Sequence, residues 1–192
     1  VPKKPAPLTM PDINTPQGLI AILLLNEVAF RGERGFVNYT DTKAAMSAIR
    51  IELTNRLSKI PAGYTQQQIA GITTTDVVRL IAASGQYEGF SMGADGKVVI
   101  QQRITDRIQN LIGIANQGAP GAVTDAINQA VGLGNGSIIP VDPFAGRGGT
   151  YGHQASNYQG GMGGQWTLVG TLSGNRFYTV GPPPPPRRGP GR

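Results

Sequence analysis

Glu27 closes the apolar run in LLLNEVAFRGERGF, residues 23 to 36, and Glu33 follows it just past Arg31 and Gly32. A carboxyl at the end of a buried apolar helix loses hydration, which raises its pKa and lets it hold a proton near neutral pH. A general acid that protonates the oxygen of a glycosidic bond needs that property. Spacing alone favours the plainer reading, a solvated residue on a partly exposed turn. Glu33 is its partner or competitor. Gly32 can break the helix and fold the chain back toward Glu27, but an isolated glutamate beside Arg31 and Arg34 more often makes a surface ion pair.

Two further groups could touch a substrate. In SGQYEGF, the side chains of Gln86, Tyr87, Glu88 and Phe90 could line a sugar-binding cleft, or form an ordinary loop anchored by its aromatic rings. His153, the only histidine, lies in a glycine-rich stretch, where it could hydrogen-bond a substrate or sit exposed. It has no Cys or second His beside it, so no zinc site is expected. The glycine-rich stretch lacks the Gly-Lys-Ser/Thr ending of a phosphate-binding loop and does not join a strand to a helix. A lone histidine without a nucleophile elbow gives no Ser-His-Asp triad.

The elements that must position these residues read as mainly helical. Thr15 as N-cap and Pro16 at the first helical position open a helix apolar on nearly every face, which belongs inside the domain. Asp41 can cap a second helix with Met46, Ile49, Leu53 and Leu57 on one stripe and Arg50 and Glu52 facing away from it. Thr65 and Thr75 can cap two shorter helices, and apolar spacing predicts others over 98–114 and 120–131. Beyond Gly132 glycine dominates and loop is expected, until WTLVGTL and NRFYTV flank Ser173 and Gly174 as a terminal β-hairpin. Three segments follow: a Pro-rich lead-in over 1–14, one folded domain over 15–181, and a Pro-rich basic tail over 182–192. The tail reads as polyproline II, a tether for a protein partner or a plain spacer.

Composition agrees with one folded core among long glycine-rich loops: 39% hydrophobic and 15% charged, with 28 Gly and 15 Pro. The net charge of +6 favours anionic partners, but Lys3, Lys4, Arg187, Arg188 and Arg192 lie in the end segments, so no nucleic-acid partner is expected. Cysteine is absent, which removes disulfides and thiol chemistry. No apolar stretch is long enough to span a bilayer, and a chain opening at Val1 without Met leaves room for a removed leader.

Taken in order, five motifs resemble the SleB-like cell-wall hydrolases, the family of spore-cortex lytic enzymes. They are NEVAFRGE (26–33), the helix closing in Asn55 and Arg56, Gly85-Gln86-Tyr87, DPFAGRGGTYGH (142–153), and GNRFY (174–178). The family's glutamate is separated from its Arg-Gly-Glu by one residue, whereas Val28, Ala29 and Phe30 intervene here. An ungapped match would place Ala29 at the acid's position. The resemblance, over about residues 17 to 180, implies a lysozyme-like helical domain, α+β overall, with a small C-terminal β-hairpin. It implies a lytic transglycosylase or muramidase cutting the linkage from N-acetylmuramic acid to N-acetylglucosamine in peptidoglycan. Glu27 is the matching general acid, and the mechanism needs no cofactor. Gln86, Tyr87 and the 146–164 loop would hold the glycan, with Tyr151, His153 and Tyr178 on cleft-side motifs. An extracytoplasmic setting is implied. The alternative is a wall-binding or virion-structural module that keeps the fold without the acid. For an inverting hydrolase, Glu33 and Glu88 are the available second carboxylates.

Overall fold

In the computed structural model, residues 6–118, 121–160 and 162–183 are described. They combine helices and strands in an α+β arrangement, with all regular elements between Pro16 and Val180. Helix α1 (Pro16–Glu27) starts as its sequence predicts, with the Thr15 hydroxyl accepting from the Gly18 amide. Every residue from Gly18 to Leu25 is buried, so the helix is held by its surroundings on all sides. Each such Leu or Ile contributes roughly 1.5–3 kcal/mol of burial.

Helix α2 (Tyr39–Ser58) crosses α1, and its N-cap is Asn38, not Asp41. Asn38 already accepts the Asp41 amide, which leaves the Asp41 carboxylate free to accept the backbone N–H of Ser173. Two short helices follow, α3 (Gln66–Ala70), opened by a Thr65–Gln68 capping box, and α4 (Val77–Ala82), capped by Asp76, not Thr75.

The predicted helix over 98–114 divides. Val98–Ile100 is a strand, β2, paired antiparallel with β1 (Phe90–Met92), and the helix α5 begins at Gln102 and runs to Gln117. The turn Gly93–Gly96 returns the chain for that pairing, and the β-branched Val-Val-Ile suits a strand better than a first helical turn. Helix α6 (Ala122–Asn135) runs past Gly132 to a left-handed Gly136. Gly134 permits its contact with α1: a Cβ there would lie 2.5 Å from the Gln17 carbonyl oxygen.

The C-terminal hairpin forms as expected from β4 (Trp166–Leu172) and β5 (Asn175–Val180), turning at Ser173 and Gly174, both with positive φ. The glycine-rich stretch adds a strand that the sequence reading assigned to loop. Gly152–Ala155 is β3, giving an antiparallel sheet in the order β3-β5-β4, with His153 opposite Phe177. Part of the lead-in is also tied down: Leu8 exchanges two hydrogen bonds with the Asn116 side chain of α5. The tail from residue 184 onward lies outside the described residues.

Candidate functional site

The C-terminal end of α1 is clamped from two directions. Arg107 of α5 donates to the carbonyls of Leu25 (2.6 Å) and Val28 (2.9 Å), and Asn175 of β5 donates to the Glu27 carbonyl at 2.6 Å. These carbonyls have no partner within the helix, and a cation at a helix C-terminus is favoured by the helix dipole. Val28, with extended backbone, Ala29 and Phe30 then lead the chain out of the helix, all three buried. The Ala29 amide donates to the Ser173 hydroxyl at 2.7 Å and its carbonyl accepts from Thr42 at 2.9 Å. Val28, Ala29 and Phe30 are thus held in the core, and the Glu27 side chain emerges from the helix end with 19% exposure.

Glu27 stands where two clefts meet. One, of about 360 Å³, runs past Asn26, Arg34, Arg103 and Asn157; the other, about 570 Å³, runs past Gln67, Gln68, Gln86, Gln154 and Tyr158. Glu27, Glu88 and Ala155 border both. The Glu27 Oε1 accepts from the Asn26 amide at 2.9 Å, and its Oε2 lies 3.3 Å from Nε2 of His153.

Behind His153 the polar contacts continue inward. Its Nδ1 is 2.7 Å from Oε2 of Glu52, a side chain only 1% exposed. The Tyr87 hydroxyl donates to Glu52 at 3.0 Å and accepts from Arg56 at 3.3 Å, and Arg56 also pairs with Glu52 at 3.3 Å. The sequence reading turned Glu52 outward; instead it lies at the centre of this network. Asn55 and Arg56 at the end of α2 donate to the carbonyls of Thr150 and Tyr151, which aims β3 so that His153 reaches Glu52.

Both ring nitrogens of His153 face carboxylate oxygens, which accept only, so the ring satisfies both contacts as an imidazolium. Burial works against that charge, but Glu52 and Glu27 outweigh it, and the pKa of His153 is raised to about 10. For Glu52, burial pushes upward and is overcome by the charges of His153 and Arg56, leaving it below the ordinary carboxylate value. Burial first, then the Glu52 charge, pushes the Tyr87 hydroxyl well above its ordinary value. The four charged groups Glu27, His153, Glu52 and Arg56 balance, which is how buried charges are tolerated.

The other expected site residues separate into two groups. Gln86 and Glu88 line the clefts with Glu27, and among the described residues the buried Gln86 Oε1 has no hydrogen-bond partner. Glu33 borders the smaller cleft, but both its oxygens are held by Arg107 at 2.7 and 2.5 Å and one also accepts the Phe30 amide. Burial pushes its pKa up; the Arg107 and Phe30 hydrogen bonds more than offset this and leave it lowered. Its ion pair is with Arg107, not with Arg31 or Arg34, so it fixes the turn. Tyr151 and Tyr178 border neither of the two clefts that meet at Glu27. The Tyr151 hydroxyl donates to the Lys59 carbonyl at 2.7 Å, and Tyr178 is buried under the sheet with its hydroxyl 3.5 Å from Gln154. Aromatic residues near the end of a motif gave no signal to tell anchoring from substrate contact.

Glu52 and Arg56 are the site residues that sequence reasoning missed. A signal was available in their i, i+4 spacing, with Glu52 one helical turn past the buried Ala48 and Ile49. Among the described residues, no group of three or more His, Asp or Glu side chains is arranged to hold a metal ion, and no helix is long and apolar enough to cross a membrane. Comparisons of the chain with protein-family models, curated proteins and solved structures find no match.

Proposed function

We propose that this chain is a peptidoglycan-cleaving glycosidase with a lysozyme-like domain, acting outside the cytoplasm with Glu27 as its general acid. The observation that carries the proposal is the position of Glu27: a part-buried carboxylate at the meeting point of two clefts, held by His153 and with its helix end clamped by Arg107 and Asn175. A polymer lying across both clefts would present one inter-sugar oxygen to that carboxylate. Amide side chains on both sides suit acetamido and hydroxyl groups, and the unpaired Gln86 Oε1 can accept from an acetamido N–H.

In this reading Glu27 gives a proton to the glycosidic oxygen as the bond from C1 to that oxygen breaks and its electron pair goes to the oxygen. The positive charge left at the sugar ring is stabilised by the carboxylate that remains. The second step depends on whether another carboxylate is available. Glu33 is tied by both oxygens to Arg107, and Glu88 is 88% exposed and paired with Arg103. Glu33 is thereby committed, whereas the exposed pair holds Glu88 only weakly; the transglycosylase form needs no second carboxylate. There the 6-hydroxyl of the muramic acid attacks C1 and returns its proton to Glu27, closing a 1,6-anhydro ring.

The test is incubation of purified sacculi with the protein and with Glu27→Gln, with products read by mass spectrometry. Soluble fragments lighter by one water than reducing muropeptides, from wild type alone, are expected. Equal release by both proteins would remove Glu27 from the mechanism. The displacement of Arg31 by two residues from the family spacing favours a second reading, a module that binds the wall without cutting it; sedimentation with sacculi and no soluble product would support that reading.

A further inference from the structure

We propose that His153 is a positioning residue for the reaction, holding Oε2 of Glu27 and keeping one proton on the Glu27–His153 pair. This inference rests on the glycosidase reading. Its basis is the geometry of a ring clamped at both nitrogens, 2.7 Å from Glu52 on the inner side and 3.3 Å from Glu27 on the cleft side.

The groups facing the ring come from every surrounding element: Glu27 from α1, Glu52 and Arg56 from α2, and Tyr87 from the loop before β1. Phe177 of β5 packs its ring 5.6 Å away and offers no charge. Two carboxylates therefore act directly on the ring, while Arg56 is matched to Glu52 and Tyr87 bridges those two. An imidazole with no role in proton supply would need only one of these contacts. The second joins it to Glu27, a carboxylate that opens onto both clefts.

The shared proton starts on Nε2 of His153, which faces Oε2 of Glu27. With one proton on the pair, the Nε2–H proton moves to the Glu27 carboxylate as Glu27 protonates the glycosidic oxygen. The imidazole is left neutral. When the 6-hydroxyl attacks C1, its proton returns to Glu27 and then to Nε2, so no proton is gained or lost over the cycle. The raised pKa of His153 supports this role, because the pair stays loaded across the neutral range. Such a donor is a weaker acid than an isolated carboxyl but is always charged with its proton.

The experiment is the pH dependence of kcat/KM for release of muropeptides from sacculi, for wild type and His153→Gln. Wild type should stay on its plateau to about pH 9, whereas the alkaline limb of the variant should move acidward by more than about two pH units with little change in KM. A purely structural role would lower the rate without moving the limb, and coincident limbs in two active proteins would overturn the proposal. Inactivity of wild type at every pH would instead overturn the glycosidase reading. Because His153 is the only histidine, its ring NMR signals assign themselves, and they decide the matter even where His153→Gln fails to fold. The ring should remain charged through about pH 8 in wild type and titrate lower in Glu27→Gln. Titration near pH 6.5 in wild type, or an unchanged value in Glu27→Gln, would overturn the pairing.

Discussion

The charged state of His153 should make the stability of the whole fold fall as the solution becomes alkaline. Its folded value is about 10, whereas an unfolded histidine titrates near about 6.5. A group whose pKa is raised by folding contributes stability in full below the unfolded value and loses it as pH rises through the folded one. Between those limits the native state holds one more proton than the unfolded chain, so the unfolding free energy drops by about 1.4 kcal/mol per pH unit. From pH 7.5 to 9 the loss should be about 2 kcal/mol, which urea titrations resolve easily. The composition keeps this window clear, since the chain has no cysteine and no other histidine. The α-amino group also titrates there, but His153→Gln retains it, so subtracting the variant's profile isolates the imidazole. His153→Gln should have a nearly level profile over that range and lower stability at pH 7, because it leaves buried Glu52 without its main counter-charge. A wild-type urea midpoint that does not move between pH 7.5 and 9, at constant m-value, would refute the buried imidazolium.

Tyr87→Phe removes a hydroxyl that serves both Glu52 and Arg56; a loss of about 1–3 kcal/mol in urea unfolding is expected, and a loss below about 0.5 kcal/mol would show that the bridge is dispensable. Arg107→Ala uncaps the carbonyls of Leu25 and Val28 and frees Glu33, so it should cost about 2–4 kcal/mol and weaken sacculus cleavage through displacement of Glu27, while Arg103→Ala, at an exposed pair, should change stability by less than about 1 kcal/mol. Gly35→Ala should destabilise by more than about 2 kcal/mol, because φ is +89° and a Cβ would fall 2.5 Å from the Gly174 Cα; a thermal midpoint matching wild type would contradict the close approach of the two turns. Asn116→Ala should release the Leu8 segment from α5, read as faster proteolysis of the chain's first residues with the core transition unchanged.

What could be read from the sequence was what short-range chemistry decides. Thr15 and Pro16 mark the start of α1 because capping is a property of adjacent residues, and Ser173-Gly174 marks its hairpin for the same reason. The Val98–Ile100 strand escaped because apolar spacing runs on without a break into the genuine helical stripe Ile104, Ile108, Leu111. The strand β3 escaped for a different reason. Gly-His-Gln-Ala has no alternating pattern of its own, and the ladder that makes it a strand is supplied by β5. Glu52 is the sharpest case: Arg56 one turn on offers it a counter-charge, but its main partner lies 101 residues away.

The tripeptide Val28-Ala29-Phe30, between Glu27 and Arg31, has a definite structural role. Had it bulged outward, the end of α1 would be free to fray and Glu27 could choose among rotamers. Instead its three residues are 2%, 7% and 1% exposed, and Ala29 is bonded through its backbone to both Ser173 and Thr42. The path of the chain after Glu27 is therefore fixed by the hairpin turn on one side and by α2 on the other. These two elements also supply the groups that hold Glu27: Asn175, just past the turn, binds its carbonyl, and Glu52 holds the histidine that meets its carboxylate. The buried tripeptide thus fixes where Glu27 leaves the helix, and Arg107 of α5 completes the clamp. Arg31 takes no part in this arrangement: among the described residues, Glu27 is oriented by Asn26, His153 and Asn175, and Arg31 makes none of these contacts.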